Sequence, residues 1–294
     1  MRRIVLGTRG SALARAQAAL VAARLGGAET VVISTRGDRE QHAPVPELGG
    51  KGLFTAELEA ALLEGRIDAA VHSLKDLPTF ETPGLAVAAV MEREEWRDAL
   101  VSKGGLALMA LPRGAVVGTA SRRRAALLRS RRNDLSIAPL RGNIDTRIGK
   151  ALQGGIDAVV VAAAGLLRLG RADAIAERLD WLPAPAQGAL AVQAREDRPE
   201  VLQQLQQLHH GPTARCVQAE RSLLHALGGG CSVPVAALGE IAGHRVRLRA
   251  LVLSLDGTRR IPAEGVGEDA AALGLVLAKN LFDHGAAEIL DAPA

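Results

Sequence analysis

The sequence predicts an α/β protein of two lobes joined by a hinge, followed by a small α+β domain at its C-terminal end. Strand and helix signals alternate through residues 1–93 and again through 94–187, which is typical of mostly parallel sheets covered by helices. The proline-bracketed segment 183–188 indicates a second crossing between the lobes. From about Gly211 the order changes to one helix, three strands in sequence and a last helix.

The first lobe is predicted from short apolar runs and one well-capped helix. The strands are RRIVLGT, ETVVISTR, IDAAVHS and LAVAAVM, and the helices are SALARAQAALVAARL and FTAELEAALLEG. Ser11 stands at an expected N-cap, where its hydroxyl can accept a hydrogen bond from a free backbone N–H. The strand GALAVQAR follows the crossing, so we expect the first domain to comprise 1–93 and 188–208.

The second lobe repeats this alternation, and the last domain departs from it. In 94–187 the strands are RDALVS, AVVGTA, LSIAPL and DAVVVAA, with helices after Ser121 and Asn143. In 209–294 the helix TARCVQAERSLLHAL precedes three strands, SVPVAALGE, HRVRLRALVLS and RRIPAEGV, and the helix DAAALGLVLAKNL. Ligands of such two-lobed proteins bind between the lobes, at strand carboxyl ends and helix N-termini.

Composition restricts the class of protein. The 294 residues carry a net charge of +4 and are 48% hydrophobic, which fits two or three folded domains. No apolar run reaches the ~18–20 residues of a membrane span, so no membrane association is expected. The N-terminal MRRIVLGTRG lacks the apolar core of a secretory signal, and two cysteines make no disulfide framework. We therefore expect a cytoplasmic protein.

Arginine is concentrated at three strand-to-helix junctions, TRGS (8–11), GTASRRR (118–124) and LRGNIDTR (140–147). Of 36 basic residues, 31 are arginine, whose guanidinium group binds carboxylates and phosphates bidentately. Backbone N–H groups at a helix start also favour anions. A solvated helix face and a nucleic-acid surface are the alternatives. The second is disfavoured because only 2% of residues are aromatic and single strands need aromatic stacking platforms.

A second group of polar residues ends an apolar strand in DAAVHSLKDLP, residues 68–78. His72, Ser73, Lys75 and Asp76 are crowded where an α/β fold places a cleft. An ordinary turn with a capping aspartate is the alternative. An aspartate beside a lysine can hold a cationic intermediate or transfer a proton.

The two cysteines differ in their surroundings. Cys216 falls on an apolar stripe at helical spacing and is expected to be a small buried hydrophobe. Cys231 follows the glycines at 228–230, and its residue context leaves open a reactive thiol or an incidental loop residue. His209 and His210 are adjacent, and HExxH and CxxC patterns are absent, so no metal site is expected.

Eight motifs, in order, resemble the porphobilinogen deaminase family, also called the hydroxymethylbilane synthases, over nearly the whole chain. They are TRGSALA, GGKGLF, VHSLKDLP, VGTASRRR, LRGNIDTR, AAGLLRLG, QGAL and GGGCSVP. The resemblance implies two lobes like those of periplasmic binding proteins and a third small domain. It implies a transferase that deaminates four porphobilinogen molecules, joins them head to tail and releases the linear tetrapyrrole hydroxymethylbilane in tetrapyrrole biosynthesis.

The resemblance also implies a dipyrromethane cofactor, held by a thioether to Cys231, and a catalytic carboxylate, Asp76. Loss of ammonia leaves a methylenepyrrolenine with a positively charged pyrrole nitrogen, which a nearby carboxylate stabilises. A monomer that binds porphobilinogen and no nucleic acid is implied. By motif, the cofactor contacts are Ser73, Lys75, Thr119, Ser121, Arg123 and Arg124. The contacts to porphobilinogen and the growing chain are Arg9, Ser11, Arg141, Arg147 and Arg168, with Lys51 and Gln187 as weaker matches.

Three positions depart from the family pattern. Ala186 stands where the hinge often reads GQGA, Glu47 replaces a lysine of some relatives, and Arg122 replaces a frequent leucine. A non-enzymatic anion-binding module of the same two-lobed fold remains the alternative function. It leaves Asp76 and Cys231 without a role.

Overall fold

The computed structural model describes residues 3–35, 55–140, 142–229 and 233–292. The chain divides into two compact units. Unit 1 consists of Met1–Glu94 and Ala189–Ala214, and unit 2 consists of Glu95–Gly188 and Arg215–Ala294. The domain boundaries expected from the sequence, 1–93 with 188–208, 94–187 and 209–294, remain a prediction.

Thirteen strands and nine α-helices lie in the described part of the chain, numbered here in chain order. The strands are β1 (Val5–Thr8), β2 (Glu29–Val32), β3 (Ala69–Ser73), β4 (Leu85–Val90), β5 (Asp98–Ser102), β6 (Val116–Gly118), β7 (Ser136–Ala138), β8 (Ala158–Ala162), β9 (Glu177–Leu179), β10 (Leu190–Arg195), β11 (Val235–Ala242), β12 (Arg245–Leu253) and β13 (Arg260–Gly267). The helices are α1 (Ala12–Arg24), α2 (Ala56–Leu63), α3 (Arg122–Arg131), α4 (Ile144–Gln153), α5 (Ala163–Arg168), α6 (Pro199–Leu205), α7 (Gly211–Ala226), α8 (Ala270–Asp283) and α9 (Ala286–Leu290).

The sheet of unit 1 has the strand order β2-β1-β3-β10-β4. β1 runs parallel to both β2 and β3, whereas β10 runs antiparallel between β3 and β4. The strands are short apolar runs, and their side chains pack on α1 and α6 on one face and on α2 on the other. The parallel part places the carboxyl ends of β1 and β3 at one edge of the sheet.

The first sheet of unit 2 repeats this plan with the order β7-β6-β8-β5-β9. β6 is parallel to β7 and β8, and β5 is antiparallel to β8 and β9. The expectation of mostly parallel sheets is confirmed, because in each sheet four of the five strands run in the same direction and one strand, β10 or β5, runs antiparallel to both of its neighbours. The expected α/β class, with two similar sheets and a separate C-terminal sheet, is confirmed.

The second sheet of unit 2 is an antiparallel meander, β11-β12-β13, with α7 and α8 packed on it. Cys216 is buried in this core with Ala219, Leu223 and Leu227, as the helical stripe predicts. The helices approach closely at Gly274, where a Cβ would lie 2.5 Å from the carbonyl oxygen of Ala219. Glycine at this position therefore sets how tightly α8 packs on α7.

The meander also packs against the first sheet of unit 2. Ala236, Leu251 and Leu253 share one apolar core with α3 and the β6 strand. The turn between β12 and β13 is held at Gly257, whose ideal Cβ position lies 2.7 Å from the carbonyl oxygen of Ala126. No described helix is long and apolar enough to cross a membrane.

Candidate active site

A small polar cavity lies in unit 1, at the edge where β1 and β3 end. Its volume is about 70 Å³. The residues that follow β1 supply one wall, and the residues at the end of β3 supply the wall that faces it. Its polar lining residues are Arg9, Ser11, Gln17, Thr55, His72, Ser73 and Asp76.

The junction between β1 and α1 positions Arg9 and Ser11. Ser11 is the N-cap of α1, and its Oγ accepts a hydrogen bond from the N–H of Ala14 at 3.2 Å. Thr8 Oγ1 donates to the carbonyl oxygen of Ala14 at 2.9 Å. These two hydrogen bonds connect the β1–α1 loop to the first turn of α1. They fix the backbone at Arg9, whose side chain is half-buried.

The end of β3 is held with similar precision. Ser73 Oγ accepts a hydrogen bond from Nε2 of Gln17 at 2.9 Å, and the N–H of Leu74 donates to Ala189 at 3.0 Å. A single 3-10 turn, Leu74–Asp76, then carries Asp76 to the cavity. The Asp76 carboxylate is half-buried and makes no hydrogen bond or ion pair with another residue of the described ranges.

His72 contributes an uncharged ring to the same cavity. Its side chain is only 5% exposed. The pKa of His72 is lowered to about 4, because burial and, to a smaller extent, the charge of Arg9 lower it more than the contact with Gln193 raises it. The imidazole is therefore neutral at neutral pH.

In unit 2, Thr119 and Ser121 form the start of α3. Ser121 is the N-cap and accepts a hydrogen bond from the N–H of Arg124 at 3.4 Å, while its own N–H donates to Thr119 Oγ1 at 3.1 Å. Thr119 is buried and Ser121 is half-buried. The N-cap expected at Ser121 is confirmed, and anion binding at this helix start stays a prediction.

The two arginines of that first turn already face an anion within the chain. Asp98 Oδ2 accepts from Arg123 Nη2 at 2.8 Å, and Asp98 Oδ1 accepts from Arg124 Nη2 at 2.7 Å and Nε at 3.0 Å. All three side chains are buried. This pairing explains the unusual cations at a helix N-terminus, and the role of Arg123 and Arg124 in holding the cofactor remains a prediction.

Asp98 accepts two further hydrogen bonds from residues in two distant segments of the chain. Trp181 Nε1 donates to Oδ2 at 2.8 Å, and Gln187 Nε2 donates to Oδ1 at 2.9 Å. Burial raises the pKa of Asp98, but the charges of Arg123 and Arg124 and the hydrogen bonds from Arg124 and Trp181 outweigh it and hold the pKa well below its usual range. Gln187, predicted as a weak substrate contact, is thus a fully buried member of this cluster.

The remaining predicted arginines of the described ranges lie elsewhere in unit 2. Arg147 Nε donates to the carbonyl oxygen of Gly142 at 3.0 Å, next to Asn143, which caps α4. Arg168 Nη2 donates to the carbonyl oxygen of Gly188 at 2.7 Å.

The predicted residues thus fall into separate groups. In unit 1 the structure brings together Arg9, Ser11, Ser73 and Asp76, with half-buried Lys75 beside Asp76 in the chain. In unit 2 it joins Thr119 to Ser121 and Arg124 to Gln187. Lys51, Arg141 and Cys231, as well as Glu47, lie outside the described residues.

Sequence reasoning missed Gln17 and Asp98. Asp98 begins the otherwise apolar and wholly buried strand DALVS, and a carboxylate at such a position signals a cationic partner. Gln17 interrupts the buried face of α1 in the same way. Within the described ranges, no three His, Cys, Asp or Glu side chains are grouped as metal ligands.

Comparisons with known proteins give a consistent result. One family model, "Porphobilinogen deaminase, dipyromethane cofactor binding domain", matches residues 4–203, and a second, "Porphobilinogen deaminase, C-terminal domain", matches 214–283. The porphobilinogen deaminase of Acidothermus cellulolyticus is 49% identical, with 98% of this chain and 91% of the relative covered. That of Desulforudis audaxviator is 47% identical, with 98% and 97% covered.

Among solved structures, the periplasmic VFT2 domain of Bordetella pertussis BvgS aligns with a TM-score of 0.40 and 19% identity. The alignment covers 69% of this chain and 85% of that domain. At this level of similarity the match carries no weight beside the sequence relatives.

Proposed function

The chain belongs to the porphobilinogen deaminase family, and on this premise we propose that the cavity at the ends of β1 and β3 is the catalytic site. The protein is a hydroxymethylbilane synthase. It is a transferase of tetrapyrrole biosynthesis that joins four porphobilinogen molecules head to tail, loses ammonia at each addition and uses a dipyrromethane cofactor.

The observation that carries the proposal is the environment of Asp76. Its carboxylate faces a polar cavity and has no hydrogen-bond partner among the described residues. When ammonia leaves porphobilinogen, positive charge develops on the pyrrole nitrogen. A carboxylate held ready at that nitrogen accepts its N–H and stabilises the charge without reorganisation. We assign this role to Asp76.

The neighbouring groups suit the carboxylates of the substrate. Each pyrrole carries an acetate and a propionate, and Arg9 and Lys75 supply cations near Asp76. Ser73 Oγ already accepts a hydrogen bond from Gln17, so its own hydrogen is left to donate elsewhere. We propose that Arg9 and Ser11 bind a carboxylate of the incoming pyrrole.

The residues also fit the dipyrromethane cofactor, which has two pyrrole N–H groups and several carboxylates. In unit 2 two buried guanidinium groups share one carboxylate, and Arg123 Nε is buried without a hydrogen-bond partner among the residues described. When bound, the cofactor supplies the nucleophilic pyrrole carbon for the first addition. We propose that it is joined to Cys231 by a thioether and held by Ser73, Lys75, Thr119, Ser121, Arg123 and Arg124.

Further contacts are proposed from the family resemblance. We propose that the growing chain is bound by Arg141, Arg147 and Arg168, with Lys51 and Gln187 in supporting positions. We also propose a cytoplasmic, monomeric enzyme, since a chain with one core thiol and one thioether-forming thiol needs no oxidising compartment.

The decisive experiment measures intact mass and turnover on the same preparation. We expect protein from cells that make porphobilinogen to carry the extra mass of two linked pyrroles and to consume porphobilinogen. Cys231→Ser is expected to lack the adduct, and Cys216→Ser serves as the matched control that keeps it. A folded wild type with neither adduct nor turnover supports the alternative, a non-enzymatic anion-binding module.

A further inference from the structure

We infer that His72 binds the aminomethyl group of porphobilinogen through an unprotonated ring nitrogen, and that Gln193 and Glu59 fix its ring for this contact. The inference rests on the proposed function and adds to it a site for the leaving group. His72 lies at the penultimate position of β3 and lines the cavity together with Asp76 and Arg9.

The register of the sheet places Gln193 beside His72. In the antiparallel pair of β3 and β10, His72 is opposite Ala191 and Ala70 is opposite Gln193. Opposite residues project to the same face, as do residues two apart along a strand. His72 and Gln193 are therefore diagonal neighbours on one face of the sheet.

Glu59 fixes the direction of the Gln193 amide. Gln193 Nε2 donates a hydrogen bond to Glu59 Oε1 at 3.2 Å, so its amide nitrogen is committed to α2 and Oε1 is its remaining polar atom. Gln193 Oε1 and His72 Nε2 are both buried, and neither atom has a partner at full hydrogen-bond geometry among the described residues. A proton on Nε2 directed at Oε1 satisfies both atoms.

This assignment determines the state of the other ring nitrogen. The contact with Gln193 raises the pKa of His72, as expected when a ring N–H donates to an amide oxygen, but burial and the charge of Arg9 still leave the imidazole neutral. In a neutral imidazole with its proton on Nε2, Nδ1 is an acceptor. His72 therefore offers one uncharged acceptor to the cavity.

An uncharged acceptor suits a leaving group that loses its charge. The ammonium group departs as neutral ammonia when the C–N bond breaks, its electron pair leaves with nitrogen, and the positive charge stays on the pyrrole. A carboxylate at the ammonium group stabilises the charged ground state more than the transition state, which slows the step. In this arrangement Asp76 stabilises the positive charge that develops on the pyrrole ring. His72 binds the amine without a negative charge that would hold the ammonium group in its charged ground state.

The size of the cavity is consistent with binding of the aminomethyl group beside His72. Its volume of about 70 Å³ corresponds to roughly five water-sized groups. That space accepts an aminomethyl group. The amine is the one cationic substituent of the substrate, and it needs an acceptor rather than an arginine.

The test compares porphobilinogen with an unreactive analogue that carries a methyl group in place of the aminomethyl group. For His72→Leu we expect the KM for porphobilinogen to rise roughly 10- to 100-fold, as for loss of a hydrogen bond to a charged group. The inhibition constant of the analogue is expected to stay within about twofold. His209→Leu, at an exposed histidine of the same unit outside the cavity lining, is the matched control and is expected to change neither constant.

Equal changes in KM and inhibition constant for His72→Leu, or no change in either, overturn the inference, as does a selective rise in the KM for porphobilinogen in His209→Leu. The proposed function is judged separately, by turnover of the wild type. If His72→Leu fails to fold, ¹⁵N NMR of the wild-type histidines gives the answer. An unprotonated Nδ1 on His72 supports the inference, and a protonated Nδ1 contradicts it.

Gln193→Glu gives an independent test of the positioning role. The groups that face His72 would then be Arg9, Asp76, Glu59 and the new carboxylate, which favours a protonated ring. We expect the KM for porphobilinogen to rise at low pH and to recover as pH increases, while the analogue keeps the wild-type pH profile. A KM whose pH profile equals that of the wild type contradicts the inference.

Discussion

Arg124 Nη2 lies 2.7 Å from Asp98 Oδ1, and both side chains are buried inside unit 2. Arg123 contacts the other carboxylate oxygen of Asp98 at 2.8 Å. One aspartate at the start of β5 therefore pairs with two cations at the start of α3. We therefore expect the stability of unit 2 to depend on this cluster.

Asp98→Asn is expected to lower the free energy of unfolding by about 3–5 kcal/mol at pH 7, because it leaves two buried guanidinium groups without a counter-charge. Urea unfolding followed by circular dichroism measures the loss. Asp173→Asn, at an exposed position on the same unit, is the matched control and is expected to stay within about 0.5 kcal/mol.

The contribution of Asp98 to the free energy of unfolding depends on pH. The pKa of Asp98 is lowered in the folded state, so its contribution is complete above the unfolded pKa of about 3.9 and is lost as pH falls toward the folded pKa. The stability gap between wild type and Asp98→Asn should therefore narrow below about pH 4. A gap that widens on acidification contradicts the pairing.

Asp76→Asn is expected to keep the mass of the dipyrromethane adduct and to lose turnover by roughly 10²–10⁴-fold, because the amide cannot stabilise the developing charge. Single-turnover consumption of porphobilinogen and intact mass are the two measurements. Glu81→Gln, an exposed residue of the same unit, is the control. Turnover near the wild-type rate in Asp76→Asn removes Asp76 from the catalytic role.

Gln17→Leu tests how Ser73 is positioned. Nε2 of Gln17 donates to Ser73 Oγ at 2.9 Å, and without this bond the hydroxyl is free to rotate. Loss of one neutral hydrogen bond predicts a rise in the KM for porphobilinogen of roughly 3- to 10-fold with kcat largely kept. Ser73→Ala should abolish any further effect of Gln17→Leu, and additive effects in the double variant show that the two residues act separately.

The sequence predicts the local parts of this structure well. Ser11, Ser121 and Asn143 stand where caps are expected, and each accepts the expected backbone hydrogen bond. Capping depends on residues three positions apart, so it can be read from a short window. The stripe through Cys216 is similarly local, and its burial is confirmed.

Long-range pairings could not be predicted in this way. β10 inserts antiparallel between β3 and β4 although about a hundred residues separate it from them, and nothing in GALAVQAR specifies its direction. Arg123 and Arg124 have the sequence pattern of an anion site, but the carboxylate that meets them precedes them by 25 and 26 positions. The His72–Gln193–Glu59 contact likewise joins three separate segments.

Gly257→Ala tests the packing of the β12–β13 turn on α3. Gly257 has φ of +78°, and a Cβ there meets the Ala126 oxygen and the Ser130 nitrogen at 2.7 Å. Gly243, in the turn between β11 and β12, has φ of +63° with no atom within 4 Å of its Cβ position. We expect Gly243→Ala to cost about 1 kcal/mol from the left-handed backbone alone and Gly257→Ala to cost at least about 2 kcal/mol more. Equal losses in urea unfolding would show that the contact with α3 is not tight.

Ala186 is a non-glycine residue in the left-handed region, with φ of 62°, at the position where the family often has glycine. It is fully buried, and its N–H donates to Glu220 Oε2 at 2.6 Å, while Glu220 Oε1 accepts from Gly239 at 2.7 Å. These buried hydrogen bonds over-determine the backbone, so the chain tolerates a conformation that costs an alanine about 1 kcal/mol or more.

Ala186→Gly is therefore expected to change the free energy of unfolding by less than about 0.5 kcal/mol. Relief of backbone strain offsets the greater entropy of glycine in the unfolded chain, about 0.5–1 kcal/mol, and the loss of one buried methyl group, about 0.8 kcal/mol. Ala126→Gly, at a buried helical position of α3, has no strain to relieve and is expected to cost about 2 kcal/mol. The difference between the two variants in urea measures the strain directly, and equal losses would mean that Ala186 is not strained.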